Sequence, residues 1–220
     1  MASDVQKLYD NRFKDKDKQR KRAMWREICK YFASITHGEY KTVVDVAAGY
    51  CDFINNIDFD CKKYAIDVNP DVKKYADEDV TAFTDNIENL SSHFKEGSVS
   101  LFFMSNFLEH IPKDTITRLL ETEYSLLEKG GEVWILTPNI RYVGGKYWDF
   151  YDHITPITDK ALIEAAELIG YQVKKCIPKL LPYTTKSALP QAAWIVGLYL
   201  KLMPFSGMVF GEQSFLILEK

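Results

Sequence analysis

From Thr42 onward, short apolar runs alternate with stretches of helical period, and that alternation leaves few folds open. TVVDVA is β-branched and stops at a glycine, KKYAIDV ends at Asn69-Pro70, and DVTAFT is a third run. VSLFFMS is apolar throughout, and EVWILTP, YQVKKCIP and SFLILEK follow it. Short runs with little polar alternation read as strands buried on both faces, the pattern of a parallel sheet. A helix is expected from Lys113 to Leu127, stopped by Lys129-Gly130-Gly131 because glycine tolerates the left-handed conformation of a C-cap. A second is expected from Thr158 to Ile169, ended by Gly170. Strands and helices in alternation pack as a mostly parallel sheet with helices on both sides, so the fold class is α/β and doubly wound.

The 220 residues, 46% hydrophobic and 27% charged, suit one domain with a sizeable core. A net charge of −3 gives no footprint for a nucleic-acid partner. The start, MASDVQKLYD, lacks an apolar signal core. Cys29, Cys51, Cys61 and Cys176 form no CxxC pair and have no His-rich companion segment. They read as reduced thiols of a cytoplasmic protein, with neither a disulfide framework nor a metal site expected.

Ahead of the first strand, Lys14 to Arg22 is nearly all charged and reads as a solvated helix face. From Ala23 on, Met24, Ile28, Tyr31, Phe32 and Ile35 recur at helical spacing and predict a helix that packs on the sheet and ends near Gly38. The expected organisation is an N-terminal helical segment over 1–40 and one domain over 41–220, with an apolar insertion at about 179–212. Within it, 188–210 is broken by Pro190, Lys201 and Pro204. Its clean part, AAWIVGLYL, falls short of the ~20 apolar residues a membrane span needs. No transmembrane segment is expected. The stretch reads as a buried or partner-facing helix, as in a homodimer, or as a peripheral contact with a membrane or lipid-linked substrate.

Five pieces carry chemistry. VVDVAAGYCDF delivers Asp45 to the carboxyl edge of the sheet, and Ala47, Ala48 and Gly49 then make a turn with little side chain. A ligand can lie against such a turn, because open α/β sheets bind ligands outside the carboxyl ends of their strands. Asp67, about twenty residues on, can accept both ribose hydroxyls of an adenosine; the alternative is a helix cap after Pro70. Asp85-Asn86 can meet the exocyclic amine of adenine, or can cap a helix. FFMSNFLEHIP opens from an apolar strand into Asn106, Phe107, Glu109 and His110. LLEKGGEVWILTPN is a helix, a Gly-Gly turn and a strand.

In this order and spacing the five pieces resemble the class I S-adenosylmethionine-dependent methyltransferases, from about Val43 to Lys220. "LEH" after the fourth strand is similar to small-molecule O-methyltransferases. RYVGGKYWDFYDHITPITDKAL is similar to bacterial members associated with glycan and surface-polysaccharide biosynthesis. The resemblance implies a Rossmann-like seven-stranded sheet with an antiparallel last strand, S-adenosyl-L-methionine as cofactor, and a small-molecule or glycan-precursor substrate. It places Asp45 and Gly49 beside the methionine part, Asp67 at the ribose, Asp85 and Asn86 at the adenine, and Asn106 and Phe107 at the sulfonium, with Ala47 and Val68 also among the cofactor contacts. The family's D-x-G-x-G-x-G reads here as Asp45 to Cys51, with Ala47 and Cys51 in the first and third glycine positions. Alanine is acceptable there if its φ stays negative, and Cys51 points to a tighter loop.

Methyl transfer to a hydroxyl needs alignment, dryness and a proton acceptor. His110 is the first candidate base and His153 the second; the alternative for His110 is a residue that only orders the loop. Arg141, Tyr142, Tyr147 and Trp148, in an aromatic loop with Asp149 and Asp152, are candidate substrate contacts, or else a packed lid. Tyr9, Asn11 and Arg12 are expected to fold over the cofactor cleft, Arg12 beside a carboxylate or anionic substrate, or else to fray. Tyr142 and Lys146 match the Tyr-x-x-x-Lys spacing of short-chain dehydrogenases, but that pair works only on a helix, and Gly144-Gly145 argue against one. A non-catalytic cofactor-binding domain that recruits a partner through its apolar C-terminal segment is the remaining reading.

Overall fold

The computed structural model describes residues 15–183 and 192–220. Seven strands form one sheet: β1 (Thr42–Val46), β2 (Lys62–Asp67), β3 (Val80–Thr84), β4 (Val99–Ser105), β5 (Leu127–Pro138), β6 (Gln172–Leu181) and β7 (Gln213–Glu219), in the order β3-β2-β1-β4-β5-β7-β6. β1 runs parallel to β2, β2 to β3 and β4 to β5, whereas β7 is antiparallel to both β5 and β6. The expected α/β class and antiparallel last strand are therefore present. The longer helices are α1 (Asp15–Ile35), α2 (Lys113–Leu126), α3 (Asp159–Ile169), α4 (Ala193–Lys201) and α5 (Phe205–Phe210). The chain divides into two compact units, 15–87 with 192–202 and 88–183 with 203–220.

In the first unit, α1 buries Ile28, Cys29 and Phe32, the inner side of the expected apolar stripe. It stops at Ile35, short of Gly38, where the Thr36 hydroxyl donates to the Phe32 carbonyl. The charged start of α1 is more than a solvated face. Lys21 pairs with Asp52 at 2.8 Å and Arg22 pairs with Asp77, so two of its cations fasten the helix to the segments after β1 and β2. α4 packs on α1 with Tyr199 and Leu200 buried. A side chain at Gly197 would come within 2.9 Å of the Glu27 carboxylate. Its other side leaves Trp194 71% and Leu198 49% exposed. Of the clean apolar stretch, only Tyr199 and Leu200 at its end are buried, and the rest of the helix is half-buried or exposed. Residues 184–191, including the start of the 188–210 stretch, lie outside the described residues. Among those described, no helix is long and apolar enough to cross a membrane.

In the second unit, the glycine stop proposed for α2 is wrong. The helix ends at Leu126 because Leu127 is already extended, at φ −65° and ψ 138°. Gly130, at φ +77°, serves instead in an irregularity of β5, where the pairing with β4 jumps from Val99–Leu127 to Leu101–Glu132. α3 follows the sequence closely: Thr158 accepts the Ala161 amide at its start, and Gly170 takes the left-handed conformation, φ +118°, at its end. The loop after β5 is more ordered than expected. Ile140–Val143 is one α-turn, and Gly144–Asp149 continues as a 3-10 turn. Gly144, at φ +60° and ψ −140°, breaks the two apart. Tyr142 lies under the Lys179 ammonium, 5.2 Å from ring centre, while Lys146 pairs with Glu212.

Candidate active site

In the first unit the candidate residues collect at the carboxyl ends of β1 and β2. Ala47, Gly49 and Cys51 adopt φ of +54°, +52° and +56°. The expectation that Ala47 keeps a negative φ is overturned. All three glycine positions of the motif are left-handed, and two are filled by residues with a Cβ, a strain of ~1–2 kcal/mol each. Closure of the turn explains it: the Ala48 amide donates to the Ile66 carbonyl and the Cys51 amide to the Ala48 carbonyl. The third contact is side chain to backbone. Asp67 accepts the Gly49 amide on one carboxylate oxygen and the Asn69 amide on the other, both at 2.8 Å. Asp67 thereby ties the end of β2 to the turn after β1, and its own carbonyl accepts the Asp85 amide.

Two buried carboxylates in this small region are costly. Asp45 is 3% exposed and accepts one long bond, 3.4 Å, from the Ile54 amide. Burial, then Asp52 and Asp67 nearby, push its carboxyl well above the usual range. Asp67 is also pushed up by burial, against the two amides that lower it. The Cys51 thiol is raised by burial and by Asp45, so it is no nucleophile. Asp85 is half-buried and accepts the Asn86 amide, Asn86 is exposed, and Val68 is 49% exposed. A cleft of about 280 Å³ in this unit is lined by Lys21, Arg22, Tyr50, Asp52, Lys74 and Asp77, and by none of Asp45, Gly49, Asp67 or Asp85. Arg12, Tyr9 and Asn11 lie outside the described residues.

In the second unit β4 ends at Ser105 and Asn106 follows it, left-handed at φ +50° with its amide donating to the Leu136 carbonyl. Phe107 is half-buried. A short 3-10 turn, Leu108–His110, then presents Glu109 inward and His110 toward the loop. The Glu109 carbonyl accepts the amides of Ile154 and Thr155, which fixes the far end of the aromatic loop against this turn. His110 and His153, 43 positions apart, come to 4.8 Å between ring centres, edge to face.

The partners of His110 assign its tautomer. Nδ1 lies 3.1 Å from the Asp152 carbonyl and 3.3 Å from the Asp152 carboxylate, both acceptors. A proton on Nδ1 satisfies both of them. Nε2 is 4.0 Å from the Glu109 carboxylate. Glu109 is 1% exposed, accepts a 3.4 Å bond from the Thr137 hydroxyl, and is raised to about 8 by burial. His153 is buried, stacked on Phe150 and in contact with Tyr147, with the Tyr183 hydroxyl 3.3 Å from its Nδ1.

The loop candidates separate. Tyr147 is fully buried with its hydroxyl donating to the Thr155 carbonyl, and Trp148 packs on it edge to face while 57% exposed. Arg141 turns away to a 3.1 Å ion pair with the buried Asp159, which also accepts from Asn139. Tyr183 and Thr137 were not legible as site residues. Tyr183 follows β6, thirty positions from His153, and no local pattern in the sequence links them.

No protein-family model matches the chain, and no curated protein matches it. Solved structures do. A SAM-dependent methyltransferase from Archaeoglobus fulgidus superposes with a TM-score of 0.66 at 16% identity, covering 90% of this chain and 94% of its own. An S-adenosylmethionine-dependent methyltransferase from Mesorhizobium loti gives 0.61 at 12% identity over 89% and 98%. The 1,6-didemethyltoxoflavin-N1-methyltransferase of Burkholderia thailandensis, solved with bound 1,6-didemethyltoxoflavin and S-adenosylhomocysteine, gives 0.62 at 15% identity over 100% and 86%. The chain has the Rossmann-like fold of these methyltransferases.

Proposed function

We propose that the chain is an S-adenosylmethionine-dependent methyltransferase acting on a hydroxyl of a small polar acceptor such as a sugar or glycan precursor. The observation that carries this reading is the Asp67-clamped turn after β1. Each Asp67 oxygen has accepted one amide, and each retains a further lone pair for a ribose hydroxyl. The small side chains of Ala47, Ala48 and Gly49 suit close approach of a ligand to the backbone, and the half-buried Asp85 suits the adenine amine. The residues thus fit the cofactor. When bound, S-adenosylmethionine supplies a methyl group on a sulfonium, which departs as a neutral thioether as the acceptor oxygen bonds to the methyl carbon.

The chain's own task is alignment and proton removal. His110, held at Nδ1 by Asp152, takes the hydroxyl proton at Nε2; the imidazolium so formed faces the Asp152 carboxylate. An imidazole oriented by a carboxylate suits general base work. Trp148 and Tyr142 give the acceptor apolar faces, and His153 braces His110. Calorimetry with S-adenosylhomocysteine and an assay of methyl transfer to sugar acceptors test the reading. Tight NADH binding without thioether binding would sink it.

A further inference from the structure

We propose that Glu109, His110 and His153 form a binding site for a divalent first-row transition metal, Zn2+ foremost. One ligand atom from each lies within 4.8 Å of the others. A tetrahedral ion with donors at about 2.1 Å would hold them about 3.4 Å apart, so side-chain rotations on the order of 1 Å complete the set. Two imidazoles and one carboxylate suit zinc and its neighbours better than magnesium or calcium, which take oxygen ligands.

Three features make this more than proximity. The ligands stand on a common frame, since the Glu109 carbonyl accepts the Ile154 and Thr155 amides at 2.9 and 3.1 Å, next to His153. Both rings are engaged at Nδ1, His110 by Asp152 and His153 by the Tyr183 hydroxyl. Metal-ligating histidines are oriented in this way by a carbonyl, carboxylate or other polar partner at the ring nitrogen that does not coordinate, and in the proposed site the two Nε2 would be the ligand atoms. The third feature is independent of the rings. The Glu109 carboxylate is 1% exposed, and the side-chain bond it accepts is the long one from Thr137. A carboxyl group buried with so few hydrogen bonds gains from a neighbouring cation, which would hold it in its ionised form.

With three protein ligands, a fourth position falls to water or to an oxygen of the acceptor. There the ion would acidify the acceptor hydroxyl, a use that rests on the methyl-transfer reading; binding itself does not. Coordination and proton removal draw on the same His110 lone pair, so in the loaded site the ion replaces the imidazole as the activating group.

The full chain, stripped with a chelator, is titrated with Zn2+ by calorimetry and with Co2+ by visible absorption, and the bound metal is counted after gel filtration. The expected result is one ion per chain and Co2+ bands of low-symmetry N/O coordination. His110→Ala and His153→Ala should abolish both, and Glu109→Gln, which keeps the side chain's size, should do the same. Asp152→Asn should weaken binding roughly 10- to 100-fold, as expected of an orienting partner. His93→Ala, remote from the cluster, should change nothing. Circular dichroism checks that each variant folds, and Asp152→Asn carries the test if a ligand variant does not. Absence of saturable binding, or an ion that survives His110→Ala and is lost on Cys→Ser changes, overturns the site. S-adenosylhomocysteine binding is measured alongside: thioether without metal removes the ion and leaves the methyltransferase reading, and metal without thioether does the reverse.

Discussion

Replacing Asp67 by asparagine exchanges a group that accepts on both oxygens for one that accepts on a single oxygen and places an NH2 opposite a backbone amide. Asp67 receives the Gly49 and Asn69 amides at 2.8 Å each. Bonds of this kind to a charged group contribute ~1.5–3 kcal/mol each, so losing one and weakening the other costs ~2–4 kcal/mol gross. Burial works the other way. The Asp67 carboxyl lies above its ordinary range, with desolvation as the first cause, so its charge is held at a net cost in the folded chain. The favourable contribution of a raised carboxyl is complete below its unfolded pKa and is lost as pH rises through its folded pKa. Near pH 7, then, removal of the charge returns part of the loss, and the net is about 1–2 kcal/mol, or ~2–8 °C in melting temperature. Asparagine should do more relative harm at pH 4 than at pH 7. The cofactor should suffer separately: losing a charged acceptor at the ribose weakens S-adenosylhomocysteine by ~1.5–3 kcal/mol, roughly 10- to 150-fold. Urea denaturation at the two pH values and calorimetry on the folded variant read the two effects. A folded Asp67→Asn that binds the thioether as well as the parent would refute the ribose assignment, and an unchanged denaturation midpoint would refute the clamp.

Four further outcomes are expected. His110→Ala in the metal-free chain should lower turnover by ~10²–10⁴ and leave S-adenosylhomocysteine affinity intact; a rise in acceptor KM alone would make His110 a binding residue. Trp148→Ala should raise the acceptor KM and spare the cofactor, and normal acceptor kinetics would take the loop out of the site. Ala47→Gly relieves a left-handed alanine, and should stabilise by up to ~1 kcal/mol after the entropy of the unfolded glycine is subtracted; a lower melting temperature would contradict the strain assigned to φ +54°. Glu123 is fully buried with neither carboxylate oxygen hydrogen-bonded, and its carboxyl is pushed well above the usual range by burial. Stability held by its protonated form is present below its unfolded pKa and lost as pH rises through the folded one, so Glu123→Gln should gain stability at pH 8 relative to pH 5. A gain that is the same at both values would show that its charge is not the liability.

The sequence by itself determined the strands, most helix limits and the class of fold, because each is written in near neighbours. The period of apolar residues sets strand or helix, Thr158 and Gly170 cap their helix through local backbone geometry, and Asn69-Pro70 closes β2. The same locality made Asp45, Gly49 and Asp67 readable as candidates, since they end adjacent runs. It failed where a long-range contact decides. Gly130 has the residue type of a helix cap, yet pairing of β5 with β4 claims the residues from Leu127 onward and leaves the glycine to an irregularity in the strand. Ala47 could be expected at negative φ until the Asp67 clamp and the Ala48–Ile66 bond are seen to close the turn upon it. Arg141 has the chemistry of a substrate contact, but buried Asp159 is 18 residues away in sequence and 3.1 Å away in space. The joining of the Glu109-His110 pair to His153 and Tyr183 is wholly tertiary. β4, the loop after β5 and the end of β6 each bring a residue that means little alone, and only their packing sets two imidazoles and a buried carboxylate around one point.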